Sequence, residues 1–393
     1  MISKSAGLYL HIPFCVRKCS YCDFLSFSAT EEVREQYGKQ LMQEIKERSF
    51  LLKDRSVDTV FLGGGTPSLF DGAQMERIMK TVSEFYNIEK NAEITMEMNP
   101  GTVDEEKLVS YKKSGINRIS FGVQSMQEKE LKLLGRIHKV KEFQNNYSLA
   151  RKVGFDNINL DLMLALPNQT MRDVEYNLKE AVRLKPEHLS CYGLIIEEGT
   201  PFFKKYEEQE LRRQAGEEQA GDDLPGESLE REMYQWTYEF LAKEGYGQYE
   251  ISNYSQAGYE CRHNLKYWDR GEYLGLGLGA SSFLENRRFS NVTDMKEYLS
   301  LDMIRQQELL VTEEEVIDTK EAMEEFMFLG LRKTAGVSKR DFAENFGVEY
   351  RQVYQEVHEK MVALGLLQEV GDRVCLTRQG IDVSNYVMSE FLL

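Results

Sequence analysis

Six short apolar or β-branched runs, each followed by a longer polar segment of helical period, constrain this chain more than any other feature. They are "LYLHIP" (8–13), "VDTVFLGG" (57–64), "EITMEM" (93–98), "RISFGV" (118–123), "NINLDLML" (157–164) and "LSCYGLI" (189–195). The segments 31–49, 72–88, 104–114, 127–134 with 140–153, and 170–184 predict helices between and after them. Parallel strands need a long crossover, and helices supply it. The expected fold class is α/β: a partial (β/α)6 TIM-type barrel with its helices outside. In such barrels the functional groups gather at the C-terminal ends of the strands.

Just after the first run, "HIPFCVRKCSYCDF" (11–24) places Cys15, Cys19 and Cys22 together, whereas Cys191, Cys261 and Cys375 are scattered. The first residues lack a signal-peptide pattern, and no apolar window reaches membrane-spanning length, so a soluble cytoplasmic protein with reduced thiols is expected. In that setting a tight cysteine group binds metal or is catalytic. A site saturated by four protein ligands is inert, while one short of a ligand binds a reactant at the vacancy. Three thiolates on a [4Fe-4S] cube would leave one iron open. Structural zinc, or a fourth ligand supplied through space by Cys191, Cys261 or Cys375, remains the alternative.

The charge balance, Lys+Arg 49 against Asp+Glu 65 for a net −16, argues against nucleic acid or anionic membrane as a general partner. Residues 203–232 are charged and carry no apolar period, which predicts an exposed insertion or mobile loop. "EMYQWTYEFLAKEGY" then predicts an amphipathic helix, and "QYEISNYS" with "GEYLGLGLGASSFLENRRFSN" a strand and a glycine-rich turn region. From Thr312 onward, helices separated by Gly-containing turns and a "GDR" hairpin predict a small winged-helix-like module. Its candidate recognition segment carries about as many acids as bases, so it is expected to pack rather than to bind DNA.

At the end of the first strand, CxxxCxYC resembles the signature of radical S-adenosylmethionine (SAM) proteins, whose open iron is chelated by the methionine moiety. "FLGGGTPS" ends the second strand, where Gly63, Gly64 and Gly65 let backbone approach a ligand closely, although the same triplet suits a plain tight turn. "MEMNPG" ends the third with Glu97, "FGVQS" the fourth with Gln124, and "NLDLMLALP" the fifth with Asp161 in an apolar run. The resemblance is closest to the oxygen-independent coproporphyrinogen III oxidase group and, within it, to a heme-chaperone branch. "YLHIPFC", "GGGTP", "EMNP", "GVQS", "LLGRIH", "DLMLALPNQT", "EISNYS" and "HNLKYW" occur in the family's order.

This resemblance implies a [4Fe-4S] cluster on Cys15, Cys19 and Cys22. It implies a SAM site lined by Tyr9, Gly64, Gly65 and Thr66, and further by Glu97, Gln124, Arg136 and Asp161, with Tyr21 near the adenine. It divides the chain into a radical SAM core (1–240), a connecting region with an HNxxYW motif (241–310) and a C-terminal winged-helix-like domain (311–393). Two activities remain. The oxidases carry another cysteine two residues after the third, where this chain has Phe24, and an N-terminal extension before the barrel; both departures favour the heme carrier over radical decarboxylation of coproporphyrinogen III. "CRHNLKYW" (261–268) offers His263 as a heme ligand and Tyr267 and Trp268 as flat faces, with Cys261 a second iron ligand in principle, while the same residues also suit a hydrogen-bonded structural corner. The partners implied are heme, a heme-acceptor protein, membrane-associated or not, and an electron donor; nucleic acid is not among them. His11 is expected to hydrogen-bond near the cysteine loop, and His138, His188 and His358 to be surface or interface residues without chemistry.

Overall fold

The computed structural model describes residues 5–216 and 223–393. The expected strands form β1 (Ser5–Ile12), β2 (Ser56–Gly64), β3 (Ile88–Met98), β4 (Arg118–Gln124), β5 (Ile158–Leu164) and β6 (His188–Gly193). They pair in chain order and all in parallel. The crossovers carry α1 (Glu31–Glu47), α2 (Gly72–Phe85), α3 (Glu105–Lys113), α4 (Glu128–Leu133) with α5 (Val140–Val153), and α6 (Met171–Arg183) follows β5. Local chemistry starts several of these helices: the side chains of Thr30, Asp71, Asp104 and Thr170 each accept a hydrogen bond from a backbone N–H three residues on. The strands are covered on both faces, with Leu8, Leu10, Val60 and Leu62 fully buried on one and His11, Thr59 and Thr95 buried on the other, as a parallel sheet requires. Because all six run the same way, their C-terminal ends share one rim.

The barrel does not close; other strands extend the sheet at both ends. After α7 (Pro201–Gln214) and α8 (Glu227–Lys243), β7 (Gly247–Gln248) and β8 (Asn253–Ser255) form a hairpin, and β8 pairs antiparallel with β6. Beyond α9 (Arg262–Trp268), β9 (Tyr273–Leu276) pairs parallel with β1, and β10 (Ser281–Leu284), β11 (Arg287–Asn291) and β12 (Val311–Val316) continue outward. The glycine-rich region therefore contributes strands as well as turns. One buried carboxylate pins this added edge to the first crossover. Glu44 of α1 is fully buried; it accepts hydrogen bonds from Gly277 N (2.9 Å), Asn291 Nδ2 (2.8 Å) and Tyr298 OH (2.7 Å), and lies 3.5 Å from Arg48.

The expectation of an exposed insertion at 203–232 is corrected by α7 and by the first turns of α8. Phe202 and Tyr206, four residues apart, bury themselves with Leu194, Ile196 and Leu224, and Glu210 one turn on is buried too. The apolar stripe was too narrow to stand out among the charges. The part of that segment spanning 217–222 lies outside the described residues.

The C-terminal module has helices Thr319–Gly330, Lys339–Phe346 and Tyr350–Ala363, and a sheet in which β15 (Arg373–Leu376) lies between β13 (Val337–Ser338) and β14 (Leu367–Val370). This is the winged-helix-like layout, with its own core around Phe342, Tyr354 and Met361. Backbone bonds from Ile251 N to Arg332 O (3.1 Å) and from Thr334 N to Tyr249 O (3.0 Å) join it to the rest. Among the described residues no helix is long and apolar enough to cross a membrane. Replacing Glu44 by Ala would strand several buried donors at once, and loss of one partner from a buried charged network costs about 3–5 kcal/mol. Chemical denaturation should show a loss of that order for Glu44→Ala and a smaller one for Glu44→Gln.

Candidate functional site

The segment from Phe14 to Phe27 leaves the end of β1, makes an open loop and returns beside its own start. Cys15 N donates to Phe27 O (3.0 Å), and Phe27 N donates to Pro13 O (2.9 Å). His11 fastens the loop from below. Its Nε2 donates to the Leu25 carbonyl (2.9 Å), which leaves Nδ1 bare to accept from Tyr9 OH (3.0 Å), and burial keeps the ring neutral by lowering its pKa. The expected role of His11 beside the loop is what the geometry shows. Cys15, Cys19 and Cys22 are all free and line one cavity of about 340 Å³. Cys15 Sγ lies 3.6 Å from Thr66 Oγ1, and Cys19 Sγ lies 3.5 Å from Arg136 Nη1. Burial pushes the Cys22 thiol up to about 11, the neighbouring Cys19 and Cys15 adding to the rise.

The opposite wall is built from the strand ends. Gly64, at φ +107°, occupies backbone space where a side chain would be strained, and its N–H donates to Glu97 Oε2 (3.0 Å). Gly65 lets the second βα turn rest on the cysteine loop: its N–H donates to Ile12 O (2.9 Å), and a Cβ there would stand 2.6 Å from Phe14 O and 2.7 Å from Phe14 N. Gln124 ends β4 at φ +69°, a costly conformation for a residue with a side chain, and its Oε1 accepts from Tyr192 OH (2.9 Å). Asp161 accepts from Asn159 Nδ2 (2.8 Å) and Ser120 Oγ (3.2 Å). Arg136 donates to Asn99 Oδ1 (2.5 Å) and to the Gly122 carbonyl. Burial, then the nearby Asp161, raise the Glu97 carboxyl to about 7, and burial also raises Asp161.

Of the positions singled out in the sequence, Tyr21, Gly64, Gly65, Thr66, Glu97, Gln124, Arg136 and Asp161 line this cavity with the three cysteines. Tyr9 does not. It faces an adjoining inner chamber of about 200 Å³ that shares Glu97 and Asp161 with the first. Sequence reasoning missed Asn99, Ser190, Tyr192, Asn253 and Asn264. Asn99, Asn253 and Asn264 were legible inside "EMNP", "EISNYS" and "HNLKYW"; Ser190 and Tyr192 reach the rim through the pairing of β6 with β5.

His263, read in the sequence as a heme ligand or as part of a hydrogen-bonded corner, is enclosed in the structure. The ring is 1% exposed, with Nδ1 at 2.9 Å from Thr59 Oγ1 and Nε2 at 2.8 Å from Tyr267 OH, so both nitrogens have protein partners. Burial, with Lys266 and Arg118 nearby, lowers its pKa to about 3. Glu93 caps this short helix through Arg262 N (3.0 Å) and His263 N (3.1 Å), and also holds Cys261 Sγ (3.6 Å). Trp268 turns the other way, its ring 4.3 Å from the Arg332 guanidinium of the C-terminal module. Hence the motif is a corner joining sheet, inner chamber and module. His138, His188 and His358, expected at the surface or an interface, are 4%, 1% and 3% exposed. His188 sits between Asn159 Oδ1 (2.6 Å) and Tyr249 OH (2.7 Å) from distant segments, and His358 between Tyr350 OH (3.0 Å) and Arg351 Nη2 (2.9 Å) of its own helix; polar partners are what let these rings be buried.

The donor set fits a cube. Among the described residues no three His, Cys, Asp or Glu side chains are placed to hold a single metal ion; Cys15, Cys19 and Cys22 supply the three thiols that a cluster with one open iron would need. No fourth cysteine lines the cavity, since Cys191 and Cys261 are buried in the sheet region and Cys375 lies in β15. The space beyond the thiols carries two half-buried carboxylates, Glu97 and Asp161, whose acceptors suit a cationic amino acid nucleotide.

The model of the radical SAM superfamily matches residues 9–181, and that of the HemN C-terminal domain matches 317–383. A Bacillus subtilis protein named heme chaperone HemW is 36% identical over 390 residues, covering 99% of this chain and 99% of its own length. One of the same name from Escherichia coli is 40% identical over 275 residues, 70% of this chain and 69% of its own. In fold, the structure of coproporphyrinogen III oxidase (HemN) from Escherichia coli is similar with a TM-score of 0.83 at 23% identity, over 99% of this chain and 90% of that one. Identity sustained over nearly the whole of both chains, on a core and a C-terminal module that each match their own model, places this chain in the HemW family of radical SAM proteins.

Proposed function

We propose that this chain is a cytoplasmic heme chaperone on a radical SAM core: it holds a [4Fe-4S] cluster and SAM, carries heme and passes it to an acceptor protein. The observation that carries the reading is one cavity in which three free thiols face strand-end glycines and half-buried carboxylates, in a chain 36% identical end to end to a protein named heme chaperone. Cys15, Cys19 and Cys22 would hold the cluster. When bound, the cluster and SAM supply one-electron reductive cleavage of the sulfonium, given an electron donor.

The chain's own groups bind and orient. Gly64 and Gly65 leave room for the His11 ring and the Phe14 backbone and so set the cavity wall, and the half-buried Glu97 and Asp161 offer acceptors for ammonium or ribose hydroxyl groups. Arg136, held by Asn99 and Gly122, places a cation 3.5 Å from Cys19 Sγ, where it can pair with a ligand carboxylate. Tyr9 acts one layer below, by steadying His11 and through it the cysteine loop. The second reading, oxygen-independent coproporphyrinogen III oxidase, draws on the likeness to HemN. Phe24, 64% exposed at the cavity mouth, occupies the position where the oxidases are expected to carry their additional cysteine.

The deciding experiment incubates anaerobically reconstituted protein, SAM and reductant separately with coproporphyrinogen III and with heme. A stoichiometric Soret band without decarboxylated product supports the carrier; turnover to decarboxylated porphyrinogen overturns it. Cys19→Ser should reduce iron content and visible cluster absorbance to background, and an unchanged iron-to-protein ratio would remove Cys19 from the ligand set.

Glu97 generates a pH prediction. Its folded pKa of about 7 lies above that of an unfolded glutamate, about 4.3, so its contribution to stability is full below the lower value and lost as pH rises through the upper one. A cationic ligand favours the ionised carboxylate. Calorimetry should therefore show SAM binding tighten as pH rises through about 7, with proton release, and Glu97→Gln should flatten that dependence.

A further inference from the structure

The cysteine loop presents cations to solvent on a chain whose formal net charge is −16. Arg17 and Lys18, between Cys15 and Cys19, are exposed, and so are Lys132 of α4 and Lys139 at the start of α5. With Arg136 they line one open groove beside the thiol cavity. Among the described residues the ammonium groups of Lys18, Lys132 and Lys139 form no ion pair, whereas Lys129 of α4 is already held by Asp173. The groove has one carboxylate, Glu128, whose Oε1 accepts from Val140 N (3.0 Å). Cations gathered without counter-ions repel one another, and an anionic partner relieves that repulsion.

The patch is a built surface. Arg17 Nη2 donates to the Gly135 carbonyl (2.5 Å) and Ser20 N to the Leu134 carbonyl (3.0 Å), so the two cationic segments are tied edge to edge. Apolar surface adjoins them: Val16, Phe24 and Ile137, at the mouth of the thiol cavity, are 55%, 64% and 53% exposed. Exposed apolar side chains bordered by charge of one sign have the anatomy of a protein contact, and the encounters of redox partners need only a small one.

We propose that this face docks an acidic one-electron carrier protein, with Lys18, Lys132 and Lys139 meeting its carboxylates and Val16, Phe24 and Ile137 its apolar centre. The inference rests on the cluster reading above, because a cluster on Cys15, Cys19 and Cys22 takes its electron from outside. One electron leaves the carrier, which is oxidised by one, and enters the cluster, which is reduced by one; no covalent bond forms or breaks. Position selects this partner among acidic ones. The cations sit on and beside the loop that holds the thiols, so electrostatic steering brings the donor to the cluster itself. An anionic membrane would be served by cations on any face.

The test uses reconstituted full-length protein, with a flavodoxin, an acidic flavin carrier, as the probe. Calorimetry with the oxidised form reads affinity, and stopped-flow absorbance with the reduced form reads the rate of cluster bleaching. Dithionite serves as a small reductant that needs no docking face. Two variants change net charge equally: Lys132→Glu/Lys139→Glu on this face, and Lys53→Glu/Lys90→Glu near the starts of β2 and β3, at the opposite end of the sheet. All four positions are exposed and none lines the thiol cavity. Wild-type protein should bind flavodoxin, less tightly as salt rises. The first variant should bind about tenfold or more weakly and accept electrons from flavodoxin more slowly, with its dithionite rate unchanged, while the second follows wild type. Equal losses in the two variants, or no loss in the first, overturn the surface. So does wild-type protein that binds phosphatidylglycerol vesicles and not flavodoxin, or neither. Those outcomes leave the cluster reading standing, whereas protein that takes up no iron on reconstitution overturns that reading and this surface together.

Discussion

Two stretches of backbone touch without side chains between them, and the geometry of the site depends on that contact. Gly65, in the turn after β2, lies against Phe14, where the cysteine loop begins, so closely that one added carbon would meet the Phe14 carbonyl oxygen at 2.6 Å. Parallel pairing of β1 with β2 brings the two turns to the same rim, and the Gly65 N–H bond to Ile12 O sets their separation. The cysteines thereby face the strand ends. The sheet supplies direction, and glycine supplies proximity.

Burial governs the chemistry of the interior. Glu97, Asp161, Arg118 and His263 sit where water is scarce, so each charge depends on its neighbours more than on bulk pH. The carboxyl groups are pushed toward neutrality by desolvation and held back by hydrogen bonds from Gly64, Asn159 and Ser120. A ligand bringing positive charge would change that balance directly. The HNxxYW segment follows the same logic: Glu93 caps its helix, Thr59 and Tyr267 occupy its histidine, and Trp268 packs under Arg332.

Much of the fold and of the main cavity was legible. The β1–β6 strands and their crossovers stand close to where period and capping residues put them, because each depends on local burial and local hydrogen bonds. Glu97, Gln124 and Asp161 could be placed as polar residues ending apolar runs. Residues 203–232 misled because α7 buries its face against a small satellite cluster, a contact that no local pattern encodes. The histidines misled for a similar reason. His188 looks like a surface residue until the fold brings Tyr249 to it, whereas His358 takes its partners Tyr350 and Arg351 from two turns back on its own helix.

The sequence by itself determined the parallel β/α core, the three-thiol loop at its first strand end and the glycine turn beside it, since these follow from periodicity, spacing and the absence of a side chain. Only the tertiary structure decided which polar groups are partnered. Tyr9 lies beneath the cavity rather than in it, His263 is enclosed, and His138 is buried with both nitrogens bare. Hydrogen-bond satisfaction depends on segments hundreds of residues apart meeting at a given atom, and one-dimensional order does not contain that meeting.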